Sequence, residues 1–360
     1  GIMSYGTDAQ ASLMDDGMST AFSETARPTI RDVARIAGVS IKTVSRVIND
    51  QQYVSADKRE RVRQVMTEIG FKPSHAARAL AGHKSHQIAL ICDNPNPWYV
   101  YEIQFGVRER CARDKIRMIA QPYDRASPTL FDDIVALLDQ ANPDGLVLAP
   151  PACDDTRVLD ELTRRGTPFV RLQPGLRIDE GPAALIDNER AAFDMTTHLL
   201  GLGHRRIGFI VGDRSYAASG QRLAGYIGAL GEQAVEIDLD LIRQGQFDVA
   251  SGEAAADALL SLSQPPTAIF ASSDDMAAGV LAAAHRRGVR VPGALSVAGF
   301  DDGPTATIVW PALTTVRQPV RALAEAATDL LLSPAQGEGP QRRLLAHEVV
   351  PRASSAPPTG

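Results

Sequence analysis

Apolar residues near the start of the chain recur at the spacing of two short helices. The first helix would bury Ile30, Val33, Ala34 and Ala37. The second would bury Val44, Val47 and Ile48. A Gly38-Val39-Ser40 turn separates them, so the pattern predicts a helix-turn-helix. The side chains left on the outer face of the second helix, free to enter a DNA groove, are Ile41, Lys42, Thr43, Ser45 and Arg46.

Polar residues mark where these helices begin. Thr29 stands at a helix N-cap, with Asp32 three residues later as its capping-box partner. Ser40 is expected to cap the second helix, and Ser55 to open a third. The third helix would supply the missing wall of a small core through Val62, Val65, Met66 and Ile69.

From residue 87 onward, short apolar runs alternate with amphipathic stretches. The runs that predict buried strands are 88–91, 118–120, 145–148, 169–170, 207–211, 269–271 and 295–298. The stretches that predict helices lie near 100–114, 128–141, 155–166, 189–202, 217–231, 250–262 and 274–287. Strand–helix alternation in two series predicts an α/β body of two lobes, each with a parallel doubly wound sheet. A ligand would then lie outside the carboxyl ends of the strands, between the lobes.

Charge is distributed unevenly along the chain. Residues 27–86 contain twelve Lys or Arg against five Asp or Glu. The whole chain carries −6, and residues 1–26 hold four acidic and no basic side chains, so residues 87–360 carry −9. A small basic block attached to a large acidic body indicates a local contact with nucleic acid.

The cysteine content and the hydropathy of the chain indicate in which cellular compartment the protein is expected. Cys92, Cys111 and Cys153 are odd in number and form no Cys-x-x-Cys pair, which favours a reducing, cytoplasmic compartment and argues against structural zinc or disulfides. No apolar run approaches a membrane span, and residues 1–26 lack the features of a secretory signal. Their small, polar, acidic composition predicts a disordered extension over 1–27.

The basic block resembles the headpiece and hinge of the LacI/GalR (lactose-repressor) family. The segments that carry the resemblance are Asp32-Val33-Ala34, Ala37-Gly38-Val39-Ser40, Thr43-Val44-Ser45-Arg46-Val47-Ile48-Asn49 and Ala76-Ala77-Arg78-Ala79-Leu80. The resemblance implies that Ile41, Lys42 and Arg46 read bases. It implies contacts to the DNA backbone from Thr29, Thr43, Ser45, Asn49, Tyr53 and Ser55. It also implies a hinge helix that orders on DNA, with Leu80 wedged in the minor groove and Ala77 beside it.

The body resembles the same family, whose core is like a periplasmic sugar-binding protein. Among the matching segments are Pro143-Asp144-Gly145-Leu146, Arg222-Leu223-Ala224-Gly225-Tyr226 and Gly299-Phe300-Asp301-Asp302. The resemblance implies a DNA-binding domain at 28–73, a hinge helix and linker at 74–86 and a core at 87–352. The tail at 353–360, which reads Ala-Ser-Ser-Ala-Pro-Pro-Thr-Gly, is expected to be disordered. It implies crossings between lobes near Asp187, Val316 and Ser333. Lobe 1 would then comprise about 87–186 and 317–333, and lobe 2 about 187–316 and 334–352.

Candidate effector-binding residues follow from the same matching. They are Asn96, Trp98, Tyr99, Gln173, Phe247, Ser273, Asp301 and Gln318. Such a set suits a sugar, because carboxylates and amides bind hydroxyls while aromatic faces cover C–H surface. One position departs from the family pattern: Gly220 stands where an arginine commonly clamps the ligand. Either Arg214 or Gln221 substitutes for it, or a bulkier effector uses the space.

Other functional classes are weighed against this interpretation. Paired acids such as Asp154-Asp155 do not converge without an organising motif, and the chain has no HExxH, P-loop, GxSxG or GxGxxG motif, which argues against an enzyme. A transport protein would not need the basic block, and a DNA-architectural protein would not need a two-lobed body. We expect a ligand-responsive regulator, most simply a repressor, without metal or cofactor.

One headpiece reads one half-site, so a homodimer on a pseudo-palindromic operator is expected. The family's tetramerising heptads are absent after Arg352, which favours a dimer over a tetramer. A carbohydrate is the default effector, with a purine-like metabolite as the alternative. The sequence leaves open whether the effector releases the operator or acts as a corepressor.

Overall fold

A computed structural model describes residues 28–48, 53–71, 84–123, 128–333, 339 and 341–359. The chain divides into two compact units, residues 1–83 and 84–360, here called the headpiece and the core. Several predictions concern residues outside the described ranges: those for 1–27, for most of the hinge at 74–86, and for Asn49, Ala77 and Leu80.

The headpiece forms three helices around a small apolar centre. They are α1 (Ile30–Ala37), α2 (Ile41–Ile48) and α3 (Ala56–Glu68). The expected capping box is present, since Thr29 accepts from the Asp32 backbone N–H and the Asp32 carboxylate accepts from the Thr29 N–H. Ser40 caps α2 by accepting from Thr43 N at 3.1 Å. Ser55 occupies the N-cap of α3 without a side-chain capping bond.

The first lobe of the core contains a six-stranded parallel sheet. Its strands are β1 (Gln87–Ile91), β2 (Arg117–Gln121), β3 (Gly145–Leu148), β4 (Phe169–Leu172), β5 (Ala183–Ile186) and β11 (Arg342–Leu345), in the order β11-β5-β4-β3-β1-β2. Its helices are α4 (Pro97–Arg113), α5 (Leu130–Ala141), α6 (Thr156–Arg165) and α12 (Val320–Leu332). Strand β3 is fully buried inside these layers and β1 is buried from Ile88 onward, as their continuous apolar runs predict.

The second lobe repeats this architecture. Its strands are β6 (Ile207–Val211), β7 (Ile242–Gln244), β8 (Ala268–Ala271), β9 (Ser296–Asp301), β10 (Thr314–Arg317) and β12 (Glu348–Val350), in the order β12-β10-β9-β8-β6-β7. Only the edge pair β10–β12 is antiparallel among the described strands of this sheet. Its helices are α7 (Asn188–Gly201), α8 (Ala217–Glu232), α9 (Val249–Leu260), α10 (Asp274–Arg286) and α11 (Pro304–Ile308). The predicted two-sheet α/β body is therefore confirmed.

The third crossing between lobes differs from the expectation. Strand β11 pairs in parallel with β5, in the sheet of lobe 1, although 334–352 is expected in lobe 2. The chain therefore crosses at Ala346-His347, between β11 and β12, rather than near Ser333. The sequence Arg342–Leu345 lacks the apolar run that predicts a buried strand, because β11 lies at a sheet edge and its side chains are mostly exposed.

The tail is ordered, which corrects the prediction of a disordered segment at 353–360. Ser354 is completely buried, and its hydroxyl donates to Val297 O at 2.6 Å and accepts from Thr314 N at 2.8 Å. Ala356 N donates to Ser296 Oγ at 3.0 Å. The small polar residues that suggest disorder are those that satisfy backbone groups beside β9 and β10.

Close packing of α7 on α8 depends on a glycine. A Cβ at Gly225 would lie 2.0 Å from Glu189 O, so the backbones would have to separate. Gly225→Ala is expected to lower the free energy of unfolding by about 1–3 kcal/mol through overpacking. Gly231→Ala in the same helix has nothing within 4 Å and is expected to be neutral or stabilising. Equal losses in denaturant titrations of the two variants would contradict this packing argument.

Candidate functional site

The outer face of α2 presents the residues expected to read DNA. Val44 and Val47 are buried against α1 and α3, which leaves the opposite face free. Ile41 and Lys42 are exposed, and Arg46 is partly exposed. Thr43 and Ser45 are partly buried, whereas Thr29, Tyr53 and Ser55 are exposed. The helix thus offers an apolar side chain and two cations on one surface, a combination that suits base edges and phosphates.

A second candidate site lies in the core, between its two lobes. The lining residues follow the carboxyl ends of parallel strands, where open α/β sheets bind ligands. Lobe 1 contributes Asn94, Asn96, Tyr99, Pro150 and Gln173, and lobe 2 with its crossing strand contributes Tyr216, Ala218, Arg222, Phe247, Ser273, Asp301 and Gln318. The space between these residues, open solvent included, amounts to about 460 Å³. Seven of the eight candidate effector residues are brought together here.

Trp98 is the candidate that does not line the cleft. Its ring lies against Gly303, where a Cβ would come within 2.9 Å of the indole. Trp98 belongs to α4 of lobe 1, whereas Gly303 follows β9 of lobe 2. The indole therefore closes one rim of the cleft by contact between the lobes.

An arginine occupies the cleft where the sequence analysis expects none. Gly220 is exposed with nothing near it, and Arg214 points away, donating to Gln244 Oε1 at 2.8 Å. The buried guanidinium is that of Arg222, whose Nη1 donates to Ser272 O at 2.6 Å. The expectation of a missing clamp is therefore wrong. Helical spacing to buried Tyr226, four residues later, was the signal that could have identified it.

Opposite charges meet in this cleft. Arg222 stacks on Phe300, with Cζ 3.5 Å from the ring centroid. Burial raises the pKa of Asp301 to about 7, while the positive charge of Arg222 and a hydrogen bond from Gln318 oppose that rise. Burial also raises the pKa of Tyr99, which stays neutral. The site therefore offers fixed donors at Arg222 and an acceptor at Asp301 whose charge changes near neutral pH.

Aromatic rings form one wall. Tyr216 and Phe247 pack edge to face with centroids 5.4 Å apart. The Phe247 ring lies on Gly212, where a Cβ would come within 2.0 Å of the ring. This wall gives the cleft an apolar face beside its charged end.

Backbone strain is concentrated around the cleft. Gln173, Phe247 and Asp301 have φ values of 50°, 62° and 119°, which non-glycine residues adopt rarely. Each follows the end of a strand or, for Asp301, is its last residue. Such strain persists where the surrounding contacts fix it, and it is typical of ligand-binding residues.

Two of the residues that line the cleft also cap helices. Ser273 Oγ accepts from Met276 N at 3.2 Å and caps α10. Asn96 Oδ1 accepts from Trp98 N and Tyr99 N and caps α4. Their side chains are therefore held in fixed orientations at the cleft by the helices they cap.

The described part of the chain contains no group of three or more His, Cys, Asp or Glu arranged to hold a metal ion. Cys92, Cys111 and Cys153 are each buried as free thiols. Among the described helices, none combines the length and hydropathy needed to cross a membrane.

The buried carboxyl group of Asp301 gives a pH prediction. Between its unfolded pKa near 3.8 and its folded pKa of about 7, the folded chain holds a proton that the unfolded chain releases. This group therefore makes stability fall as pH rises through that window, by at most about 1.4 kcal/mol per pH unit. Asp301→Asn should gain stability relative to the parent protein from pH 4 to 7 and then level off. If denaturant titrations gave the same difference in unfolding free energy between Asp301→Asn and the parent protein at every pH, this prediction would be contradicted.

Comparisons with known proteins cover both the headpiece and the core. Residues 29–74 match bacterial regulatory proteins of the lacI family, and residues 196–355 match a periplasmic binding protein-like domain. The HTH-type transcriptional regulator DegA of Bacillus subtilis (strain 168) is 36% identical over 302 residues, which are 82% of this chain and 88% of DegA.

Two solved structures are similar over most of the chain. The lac repressor dimer bound to operator and the anti-inducer ONPF is 28% identical, with a TM-score of 0.81 over 92% of this chain and 100% of that chain. A complex of the transcriptional regulator CelR with cellobiose is 29% identical, with a TM-score of 0.70 over 91% of this chain and 100% of that chain.

Proposed function

Because the chain belongs to the lacI family of bacterial regulatory proteins, we propose that it is a transcriptional repressor whose operator affinity depends on a small-molecule effector. The headpiece binds double-stranded DNA, and the core binds the effector between its lobes. The protein acts as a homodimer in the cytoplasm on a pseudo-palindromic operator, because one headpiece reads only one half-site.

The presence of Arg222 and Asp301 in one cleft, beside an aromatic wall, is the observation that supports effector binding most strongly. Both side chains are buried in the cleft, and Tyr216 and Phe247 cover its apolar side. Carboxylate and guanidinium groups bind hydroxyls, and aromatic rings pack on the C–H faces of a sugar. We therefore propose a carbohydrate as effector. The CelR–cellobiose complex is a structural neighbour that binds such a ligand.

A thermal-shift screen of the purified protein tests the effector proposal. The panel contains mono- and oligosaccharides, sugar phosphates and nucleobases. A ligand at about a hundred times its dissociation constant adds roughly 2.7 kcal/mol to the stability of the core. A sugar hit supports the proposal, and a hit limited to nucleobases replaces the carbohydrate by a purine-like effector. Silence across the panel contradicts sugar sensing and favours a DNA-architectural role.

Arg222→Met tests whether a ligand found in this screen binds in the cleft. Its ligand-induced shift should fall sharply because the fixed donors are lost. Arg214→Met, whose guanidinium lies outside the cleft, should keep the shift. Equal shifts in the two variants would show that the ligand binds elsewhere.

Arg46→Ala tests the DNA-reading surface. The guanidinium can donate twice to guanine, a contact that gives about 1–3 kcal/mol of discrimination. The variant should lose affinity for an operator selected from random duplexes and relax its preference at one base pair in each half-site. Arg63→Ala, on α3, serves as the control for a cation outside that surface. If Arg46→Ala weakened binding equally on operator and random DNA, Arg46 would contact phosphate instead of a base.

A further inference from the structure

A continuous series of hydrogen bonds runs beneath the cleft. Arg222 Nε donates to Asn188 Oδ1 at 3.0 Å, and Asn188 Nδ2 donates to Gln173 Oε1 at 2.9 Å. Gln173 Nε2 then donates to Gln318 Oε1 at 3.0 Å, and Gln318 Nε2 donates to Asp301 Oδ1 at 2.5 Å. We call Asn188, Gln173 and Gln318 the amide relay. All five side chains are buried.

The amide relay connects the two lobes and two of the crossings between them. Arg222 and Asp301 belong to lobe 2, whereas Gln173 follows β4 in lobe 1. Asn188 begins α7 directly after the first crossing, and Gln318 follows β10 at the second. The relay therefore leaves lobe 2, reaches lobe 1 and returns, so a change in the angle between the lobes must stretch or break it.

The charges at its ends fix the direction of every bond in the relay. A guanidinium can only donate and a carboxylate can only accept, whereas an amide can do either. Arg222 therefore requires Asn188 to present its oxygen, and that orientation forces the next amide to present its own oxygen in turn. At the far end, the last N–H meets Asp301, which is restricted to accepting once the pH exceeds its pKa of about 7. Buried hydrogen bonds in such a series strengthen one another.

We propose that Gln173, Asn188 and Gln318 are positioning residues, which hold the lobes in this closed arrangement and orient Arg222 and Asp301 toward the ligand. Removing one donor leaves a buried amide unpaired in the closed form, which shifts the ratio of closed to open forms toward the open form by about tenfold or more. The inference concerns the same cleft as the proposed function. Its test requires neither effector nor operator, so its failure would leave that function standing.

The two tryptophans of the chain make closure measurable. Trp98 packs on Gly303 across the rim, whereas Trp310 is 90% exposed. In a Trp310→Phe background, the fluorescence of Trp98 alone is measured, and acrylamide quenching reports how far the rim has opened. All variants are made in this full-length background, with folding checked by far-UV circular dichroism.

Gln318→Glu is the principal variant. The new carboxylate keeps the shape of the side chain but cannot donate to Asp301, so quenching of Trp98 should rise. Gln233→Glu, an identical change at an exposed position, should leave quenching unchanged. Adding Asp301→Asn to Gln318→Glu restores a donor opposite the new acceptor and keeps the net charge, so quenching should return toward the parent value.

This rescue separates a directional relay from simple packing. Side chains that only fill space would give no recovery in the double variant, and absence of recovery would overturn the proposed polarity. Unchanged quenching in Gln318→Glu would overturn the role in closure. If that variant does not fold, Gln173→Glu removes the preceding donation and should raise quenching in the same way; unchanged quenching there would also overturn the proposal.

Discussion

Replacing Arg171 by methionine is expected to lower the free energy of unfolding of the core by about 3–5 kcal/mol, the cost of removing one partner from a buried ion pair. Arg171 is completely buried, and its Nη2 donates to Asp154 Oδ1 at 2.7 Å. Its other donors bind the carbonyl oxygens of Cys153, Leu176, Arg177 and Glu180. Methionine fills much of the volume but leaves every one of these acceptors without its donor.

The comparison variant is Arg164→Met. Arg164 also pairs with a carboxylate, Glu161, but its side chain is 67% exposed. An exposed ion pair contributes about 0–1 kcal/mol, so this variant should unfold close to the parent protein. Both are measured by denaturant titration of the full chain, followed by circular dichroism. Similar losses of stability in the two variants would show that Arg171 does not anchor the loop formed by residues 174–182, between β4 and β5.

A double variant locates the source of the loss. Asp154 also accepts from the backbone N–H groups of Gly175 and Leu176. Once Arg171 is gone, Asp154→Asn removes an unpaired buried charge, so it should cost less in the Arg171→Met background than in the parent protein. Strict additivity would contradict a direct pair. The loop matters for function because Gln173, which lines the cleft, directly precedes it.

The regular part of the fold is predictable because its signals are local. Runs such as Leu146-Val147-Leu148 are apolar at every position, and the structure buries all of them in a central strand. Five described strands lie outside the predicted apolar runs: β7, β11 and β12 are at sheet edges, whereas β5 and β10 are inside the sheets. Ile242–Gln244 has one apolar residue, and Arg342–Leu345 begins with two arginines, so neither shows the pattern of a buried strand.

The residues that line the cleft are predictable only in part, because they lie far apart in the sequence and come together only in the folded chain. Polar residues that directly follow strands, such as Gln173 and Ser273, can be expected there because parallel strands end at one edge. Arg222 was missed because it lies inside a helix, where an arginine is ordinarily exposed. The resemblance drew attention to Gly220 instead, and only the packing of α8 shows which position faces the cleft.

Ser354→Ala is expected to lower the free energy of unfolding by about 2–6 kcal/mol, although it removes a single oxygen from the last seven residues of the chain. The hydroxyl of Ser354 bonds both Val297 O and Thr314 N, and alanine leaves these two buried groups unpaired at about 1–3 kcal/mol each. Ser355→Ala is the neighbouring control. Its hydroxyl bonds only the Thr314 hydroxyl among the described residues and is partly exposed, so its loss should be smaller.

The position of these bonds ties the tail to the cleft. Val297 lies in β9, which ends at Asp301, and Thr314 begins β10, which leads to Gln318. Hydrogen exchange should therefore accelerate in both strands of the Ser354→Ala variant, while β1 in lobe 1 keeps its protection. Exchange at parent rates throughout, with unchanged stability, would mean that the tail merely rests on lobe 2. The expected pattern would instead make the tail part of the support that positions the acidic end of the ligand site.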